Sequence, residues 1–154
     1  MLKEEEISDI NRELAHCHKK RSGCIEALKT IQKHRGWVSD DAIKELSAYL
    51  DMTPDELDGV ATFFNLIFRK PVGRHIILLC DGVVCWMTGG VDLKKYLFDK
   101  LGVTFGETTA DGRFTLLPNS CLGICDRAPA FMVDDRTYTD LTVNRIDAIL
   151  DEFK

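Results

Sequence analysis

The chain has 154 residues, 45% of them hydrophobic and 29% charged, with a formal net charge of −5; such a composition belongs to a globular protein with one ordinary core or two small ones. The acidic balance argues against broad nucleic-acid affinity, because phosphate binding needs a clustered excess of Lys and Arg, and the tract from His18 to Arg21 is too short to supply it. No apolar run approaches the ~20 residues of a membrane-spanning helix, so no direct membrane insertion is expected.

Residues Met1 to Glu6 are acidic and polar rather than a basic stretch followed by an apolar one, and no secretion signal is expected. Six cysteines without such a signal point to a reducing compartment, the cytoplasm, where thiols stay available as metal ligands. Up to about Cys17 the apolar pattern is thin (Ile7, Ile10, Leu14) and predicts a frayed or partner-stabilised helix. His16-Cys17-His18 looks ligand-rich, yet neighbours on a helix point in different directions. Cys17 and Cys24 are therefore read as free thiols or packing residues.

A second helix is expected from Ser22 onward, with Ile25, Leu28 and Ile31 at helical spacing and Gly36 as its C-terminal cap. A third follows Ser39, a possible N-cap, with Asp40 and Asp41 in the first turn and Ile43, Leu46 and Leu50 on one face. Thr53-Pro54-Asp55-Glu56 is the clearest start signal in the chain, a capping box with proline in the first turn. Leu57, Val60, Ala61 and Phe64 form the expected buried stripe of the fourth helix, and Phe63, Phe64 and Phe68 are assigned mainly to the core. Residues 1–70 thus read as a helical domain, ending near Lys70-Pro71-Val72-Gly73.

Beyond that point the period changes. His75 to Leu79 is an apolar run of strand length that leads to Cys80. Gly89-Gly90 loosens the chain before a helix carrying Leu93, Leu97 and Leu101 and ending at Gly102. Asp111-Gly112 marks a hairpin between residues 108–110 and 113–116, with a longer turn as the alternative. Phe114 to Leu117 runs toward Cys121, and Pro118 is expected to end the strand's ability to donate hydrogen bonds. Residues 130–133 and 137–139 read as a second hairpin around Asp134-Asp135-Arg136, and Thr142 as the cap of a last helix with Ile146, Ile149, Leu150 and Phe153 facing a sheet. Strands joined through a helix can lie parallel, which would bring both cysteine segments to one sheet edge.

Four cysteines form two pairs, Cys80/Cys85 with four residues between them and Cys121/Cys125 with three. Four thiolates in two loops suit a structural zinc ion or an iron-sulfur cluster, and the spacing favours neither. A Rieske centre is excluded, since His16, His18, His34 and His75 all lie outside the loops. The lack of a C-x-x-C argues against thiol-disulfide exchange, no glycine-rich nucleotide loop is present, and no acid-base pair or activated nucleophile stands out, so no catalytic residue is assigned.

A longer pattern decides between the metals. The run Cys80-Asp-Gly-Val-Val-Cys85, the segment from Asp111 to Pro118, and Cys121-Leu-Gly-Ile-Cys-Asp126 with Ala128-Pro129 resemble the thioredoxin-like 2Fe-2S ferredoxin family. Within it the pattern is most similar to the 24 kDa-type (E) subunits of respiratory complex I, NADH:quinone oxidoreductase. The likeness extends upstream through residues 31–37 and 59–64.

The resemblance implies an α/β fold in which an N-terminal helical bundle is followed by a thioredoxin-like ferredoxin domain (71–154), a small mixed sheet with flanking helices. It implies one 2Fe-2S cluster held by Cys80, Cys85, Cys121 and Cys125, two cysteines to each iron. The cluster would exchange single electrons with the flavin of an NADH-oxidising partner, the 51 kDa-type (F) subunit, which carries FMN and binds NADH. The host would be the peripheral arm of complex I on the inner face of the bacterial plasma membrane. Equivalent diaphorase subunits of NAD-linked formate dehydrogenases and hydrogenases are the nearest alternative, and a zinc-stabilised four-cysteine interaction module is one of a different class. Two positions depart from the family pattern: Trp86, where many relatives have His, and Phe64, where Tyr is usual. The first bears on an imidazole hydrogen bond near the cluster, not on ligation.

Such a cluster is an anion that gains further negative charge on reduction. Gly82 and Gly123 lie inside the ligand loops and serve either the turn itself or a backbone amide aimed at sulfur. Asp81 and Asp126 beside the ligands disfavour electron uptake, which predicts a low reduction potential. Arg127 either offsets that charge or is simply solvated.

Overall fold

A computed structural model describes residues 1–153. The chain divides between Pro71 and Val72 into two compact units, one entirely helical and one built on a sheet.

The helical unit contains α1 (Glu4–Leu14), α2 (Cys24–Arg35), α3 (Asp40–Tyr49) and α4 (Pro54–Phe63). Its starts and stops follow from local chemistry. Ser39 Oγ accepts the Ala42 N–H at 3.2 Å at the head of α3. Thr53 and Glu56 close a reciprocal capping box on α4, with bonds of 2.9 and 3.2 Å. Gly36 ends α2 at φ +81°, a left-handed conformation that costs a glycine little.

Leu28 and Ile31 of α2, Ile43 and Leu46 of α3 and Leu57 and Ala61 of α4 share one core. Cys24 lies in that core and Cys17 is packed against it, as expected of packing residues.

Two expectations for this unit fail. The first helix is neither frayed nor dependent on an outside partner, because Ile10 and Leu14 enter the same core and the buried carboxylate of Glu6 meets Arg35 of α2 at 2.6 and 2.7 Å. Phe63 and Phe64 are not core: they are 80% and 38% exposed. The helix ends at Phe63 and Phe64 leaves it in extended conformation, so the helical period no longer carries Phe64 to the face of Leu57 and Ala61. Ile67 is the buried residue of this segment instead. Arg69 fastens the segment through Asp58 and Asp40, each at 2.7 Å, and through the Val38 carbonyl.

The second unit is a four-stranded mixed sheet of β1 (His75–Cys80), β2 (Phe114–Asn119), β3 (Phe131–Val133) and β4 (Arg136–Tyr138), in the order β2-β1-β3-β4. β1 and β2 run parallel, with His75 opposite Phe114 and Cys80 opposite Asn119, while β3 is antiparallel to β1 and β4. A single turn, α5 (Val83–Cys85), passes through a π-helical stretch at Trp86–Gly90 into α6 (Val91–Leu101), and α7 (Val143–Asp151) closes the unit. Ile77, Leu79, Phe114, Leu116, Phe131 and Val133 alternate along their strands. They form one core with Leu93 and Leu97 of α6 and Ile146, Ile149 and Leu150 of α7.

Several details differ from the sequence reading. β2 continues through Pro118 to Asn119; it is an edge strand, where the missing N–H of proline is tolerated. The Asp111-Gly112 turn forms, with Gly112 at φ +66°; its upstream arm is not a regular strand but bridges β2 at Thr108–Thr115, with the Thr109 N–H donating to the Phe114 carbonyl at 2.8 Å and the Leu116 N–H to the Glu107 carbonyl at 3.1 Å. At the start of that arm the Glu107 side chain accepts the Thr104 N–H at 2.6 Å. Arg136 belongs to β4, so the second hairpin turns on Asp134 and Asp135 alone. Thr142 stands at the N-cap of α7 without a capping hydrogen bond from its side chain.

Candidate metal centre

The parallel, in-register pairing of β1 and β2 decides where the cysteines go. Cys80 is the last residue of β1, and Cys121 follows the end of β2 by two residues. The Asp81 N–H donates to the Asn119 carbonyl at 2.8 Å, so the loops leave the sheet side by side. A Cβ on Gly82 would lie 2.8 Å from the Ser120 carbonyl oxygen and 3.6 Å from Cys80 Sγ. Only glycine permits so close an approach of the two loops.

The chain does not stay a loop up to Cys85, as the sequence suggested. From Gly82 it enters α5, and the Trp86 N–H donates to the Gly82 carbonyl at 2.9 Å. Two β-branched valines at Val83 and Val84 hide this turn from a propensity argument. Gly90 lies against the Cys85 backbone, where an added Cβ would stand 2.5 Å from its carbonyl oxygen.

The two pairs differ in exposure: Cys80 and Cys85 are buried, Cys121 and Cys125 exposed. Cys121 Sγ and Cys125 Sγ are 3.6 Å apart. Two thiolates on one tetrahedral metal, with bonds of about 2.3 Å, would have sulfurs about 3.8 Å apart, so this pair already has nearly the span of a shared ion. The Gly123 N–H donates to Cys121 Sγ at 3.3 Å while Gly123 itself holds φ +79°. It therefore serves both the turn and the amide contact.

As free thiols, Cys85, Cys121 and Cys125 are each displaced from the ordinary thiol range. Cys85 is pushed up to about 11, first by burial and then by its hydrogen bond with Cys80. Cys121 is held below the ordinary thiol range by the Gly123 N–H and then by Cys125 and Cys80. Cys125 is raised by the hydrogen bond to Cys121 and by its charge. The structure thus brings Cys121 and Cys125 to within 3.6 Å of one another and sets the Cys80 and Cys121 segments at the neighbouring ends of β1 and β2. Among the described residues no group of three or more His, Cys, Asp or Glu side chains is placed to hold a single metal ion.

Two of the charged neighbours, Asp81 and Arg127, have partners. Lys94 Nζ of α6 lies 3.5 Å from Asp81 and stands over the Phe105 ring. Arg127 is not simply solvated: its Nε and Nη2 donate to Asp140 Oδ2 at 2.9 and 2.7 Å. Trp86, 62% exposed, stands with exposed Val83, Met87 and Val91 beside the first ligand loop. The Arg127–Asp140 contact carries no sequence signal beyond the two charges.

Comparison with known proteins gives this geometry its setting. Residues 10–154 match the family described as Thioredoxin-like [2Fe-2S] ferredoxin. The chain belongs to this family. It is 46% identical over 153 residues to the E subunit of the NADH-quinone oxidoreductase of Pseudomonas aeruginosa, covering 99% of this chain and 92% of that one. It is 46% identical over 145 residues to the corresponding E subunit from Escherichia coli K12, covering 94% and 87%. A chain of an NAD+-reducing [NiFe]-hydrogenase in the H2-reduced state superposes with a TM-score of 0.72 at 30% identity. That match covers 85% of this chain and 22% of the hydrogenase chain, so the fold found here is a minor part of a longer polypeptide there. The α/β fold expected from the resemblance, helices followed by a small mixed sheet with flanking helices, is the fold of this family member.

Proposed function

We propose that this chain is the electron-transfer (E) subunit of an NADH:quinone oxidoreductase, complex I. In this reading residues 1–70 form a helical domain, and residues 71–154 carry one 2Fe-2S cluster on Cys80, Cys85, Cys121 and Cys125. The observation that carries it is the convergence of two thiol pairs at the carboxyl ends of adjacent parallel strands, one pair at 3.6 Å. The donor set fits the cluster: thiolates only, two by two, with a backbone amide on one sulfur. A cluster held there would supply one-electron transfer, with the four thiolates carrying its negative charge.

The polypeptide supplies position and field. β1 and the α5 turn hold Cys80 and Cys85 away from water, while the outer loop keeps Cys121 and Cys125 at the surface, where a partner's redox group can approach. Gly123 N–H stabilises the Cys121 thiolate. The partner proposed is the 51 kDa-type F subunit, bearing FMN and binding NADH, within the peripheral arm of the complex at the cytoplasmic face of a bacterial plasma membrane. Among the described residues no helix is long and apolar enough to cross a membrane.

A second reading rests on the hydrogenase likeness, in which the same cluster serves the diaphorase part of an NAD-linked hydrogenase or formate dehydrogenase. Co-purification names the host. The test is anaerobic purification, iron and sulfide analysis, and paramagnetic resonance of the dithionite-reduced protein. Two irons and two sulfides per chain with a reduced-state signal are expected for a cluster of this type. A colourless chain holding zinc refutes the proposal.

A further inference from the structure

The second ligand loop needs an anchor. Its residues Cys121, Gly123, Cys125, Asp126 and Arg127 are all exposed, so packing alone does not hold it. Within the loop, Asn119 Nδ2 donates to the Cys121 carbonyl at 3.0 Å and the Arg127 N–H to the Ile124 carbonyl at 3.1 Å. The Cys125 end is tied outward to the segment 139–141. There the Asp140 N–H donates to the Arg127 carbonyl at 2.9 Å, and the Leu141 N–H donates to the Pro129 carbonyl at 3.1 Å. The Asp140 carboxylate accepts Arg127 Nε, Arg127 Nη2 and Thr139 Oγ1 on one oxygen. Arg145 Nη1 of α7 in turn donates to the Thr139 and Asp140 carbonyls, each at 3.2 Å. Leu141, Ile146 and Ile149 bury this end of the chain in the core.

Asp140 does this from a left-handed backbone conformation, φ +51°. Glycine would adopt that conformation at less cost, and Asp is among the few side chains that tolerate it. What the carboxylate adds is the grip on Arg127 and a negative charge beside the only cation within two residues of a ligand in sequence.

We propose that Asp140 is a positioning residue for the cluster: through Arg127 it fixes the Cys125 loop to the α7 side of the unit, and its charge sets how much of the Arg127 field reaches the thiolates. This rests on the cluster ligation proposed above. Both arms of the proposal have separate readouts. Loss of the grip loosens the loop and speeds metal release. Loss of the carboxylate charge leaves Arg127 uncompensated and favours the extra negative charge of the reduced state, whereas loss of Arg127 does the reverse.

The test uses the full chain with its cluster, as wild type, Asp140→Asn, Arg127→Gln and the double variant. Each is titrated with dithionite under paramagnetic resonance and then challenged with an iron chelator while the visible absorption is followed. At a fixed potential Asp140→Asn is expected to raise the reduced-to-oxidised ratio about threefold, the modest effect of a partly exposed, solvent-screened charge, or about 28 mV for one electron. Arg127→Gln is expected to lower the ratio by a similar factor, with the double variant between the two. All three should lose iron faster than wild type, and Asp140→Glu should restore both properties toward wild type. Potentials of Asp140→Asn and Arg127→Gln that do not move, or that move in the same direction, overturn the proposal, as do unchanged release rates. A wild-type chain that assembles no cluster overturns the ligation reading and this proposal with it. A wild-type cluster with unmoved variants overturns this proposal alone.

Discussion

The ion pair between Glu6 and Arg35 is expected to decide whether α1 stays docked. Glu6 is fully buried, and its carboxylate accepts Arg35 Nε, Arg35 Nη2 and the Lys3 N–H, at 2.6, 2.7 and 2.8 Å. The Arg35 hydrogen bonds, then the Lys3 N–H, bring its pKa from 4.5 down to about 2 against the opposing effect of burial. A depression from 4.5 to about 2 corresponds to about 3.4 kcal/mol of stabilisation at neutral pH. This contribution is complete above pH 4.5 and is lost as the pH falls toward 2, so at pH 3.5 about 2 kcal/mol remains. Glu6→Gln removes the charge with little change in volume and leaves Arg35 its bond to Glu45 at 2.9 Å. The expected loss at pH 7 is about 2–3.5 kcal/mol, a large share of the stability of a domain this size. Urea unfolding followed by helical circular dichroism, with hydrogen exchange of the α1 amides, measures it. Equal stability of the two proteins at pH 7, or a gap that fails to narrow by about 1.4 kcal/mol at pH 3.5, would refute the reasoning.

Other consequences concern the sulfur site. Cys121→Ala is expected to abolish cluster binding and to destabilise the sheet unit in the holo protein, because ligand binding is coupled to folding; unchanged iron content in the variant counts against the ligand assignment. Gly82→Ala forces a Cβ to within 2.8 Å of the Ser120 carbonyl oxygen, and a cost of about 1–3 kcal/mol with slower cluster assembly is expected in thermal melts and reconstitution time courses. Asp81 and Asp126 beside the ligands, with Lys94 no nearer than 3.5 Å to Asp81, keep the local charge negative, so a redox titration should place the centre below about 0 mV.

The elements were legible where one residue does one job. Thr53 with Glu56, Ser39, Gly36 and Gly102 carry their capping role in their identity, and the structure places each at a helix end. The cysteine pairs were legible as a spacing, and the change of period at His75 gave the strand that ends at Cys80. Tertiary facts were not. Nothing local marks Glu6 and Arg35 as partners, since they lie 29 residues apart, and so α1 read as frayed. Phe64 continued a helical stripe on paper but follows the end of α4, where backbone direction rather than periodicity decides exposure. Val83 and Val84 weighed against a helical turn that Gly82 and the packing of Gly90 on Cys85 impose. The expectation of a 2Fe-2S cluster rather than zinc came only from the longer family pattern, because two cysteine pairs serve zinc and iron equally well.

The placement of the thiols is settled at the opposite ends of the strands from the site. A slip of one residue between β1 and β2 would turn Ile77 and Leu79 away from the core and move Cys80 out of step with Asn119. What prevents the slip lies at the amino ends. The Gly73 N–H donates to buried Thr115 Oγ1 at 2.7 Å, and Thr108 Oγ1 bonds the same hydroxyl at 2.7 Å. Arg74 and His75 N–H groups reach the Gly112 and Arg113 carbonyls at 3.1 and 2.9 Å. A Cβ on Gly73 would meet the Phe114 backbone at 2.9 Å, so that residue sets how closely the strands begin. From there six paired positions carry the register about 17 Å, at about 3.3 Å per residue, to Cys80. The sulfur site is therefore fixed by a hydroxyl and a glycine that touch no sulfur, and changes at Thr115 or Gly73 belong among those that disturb it.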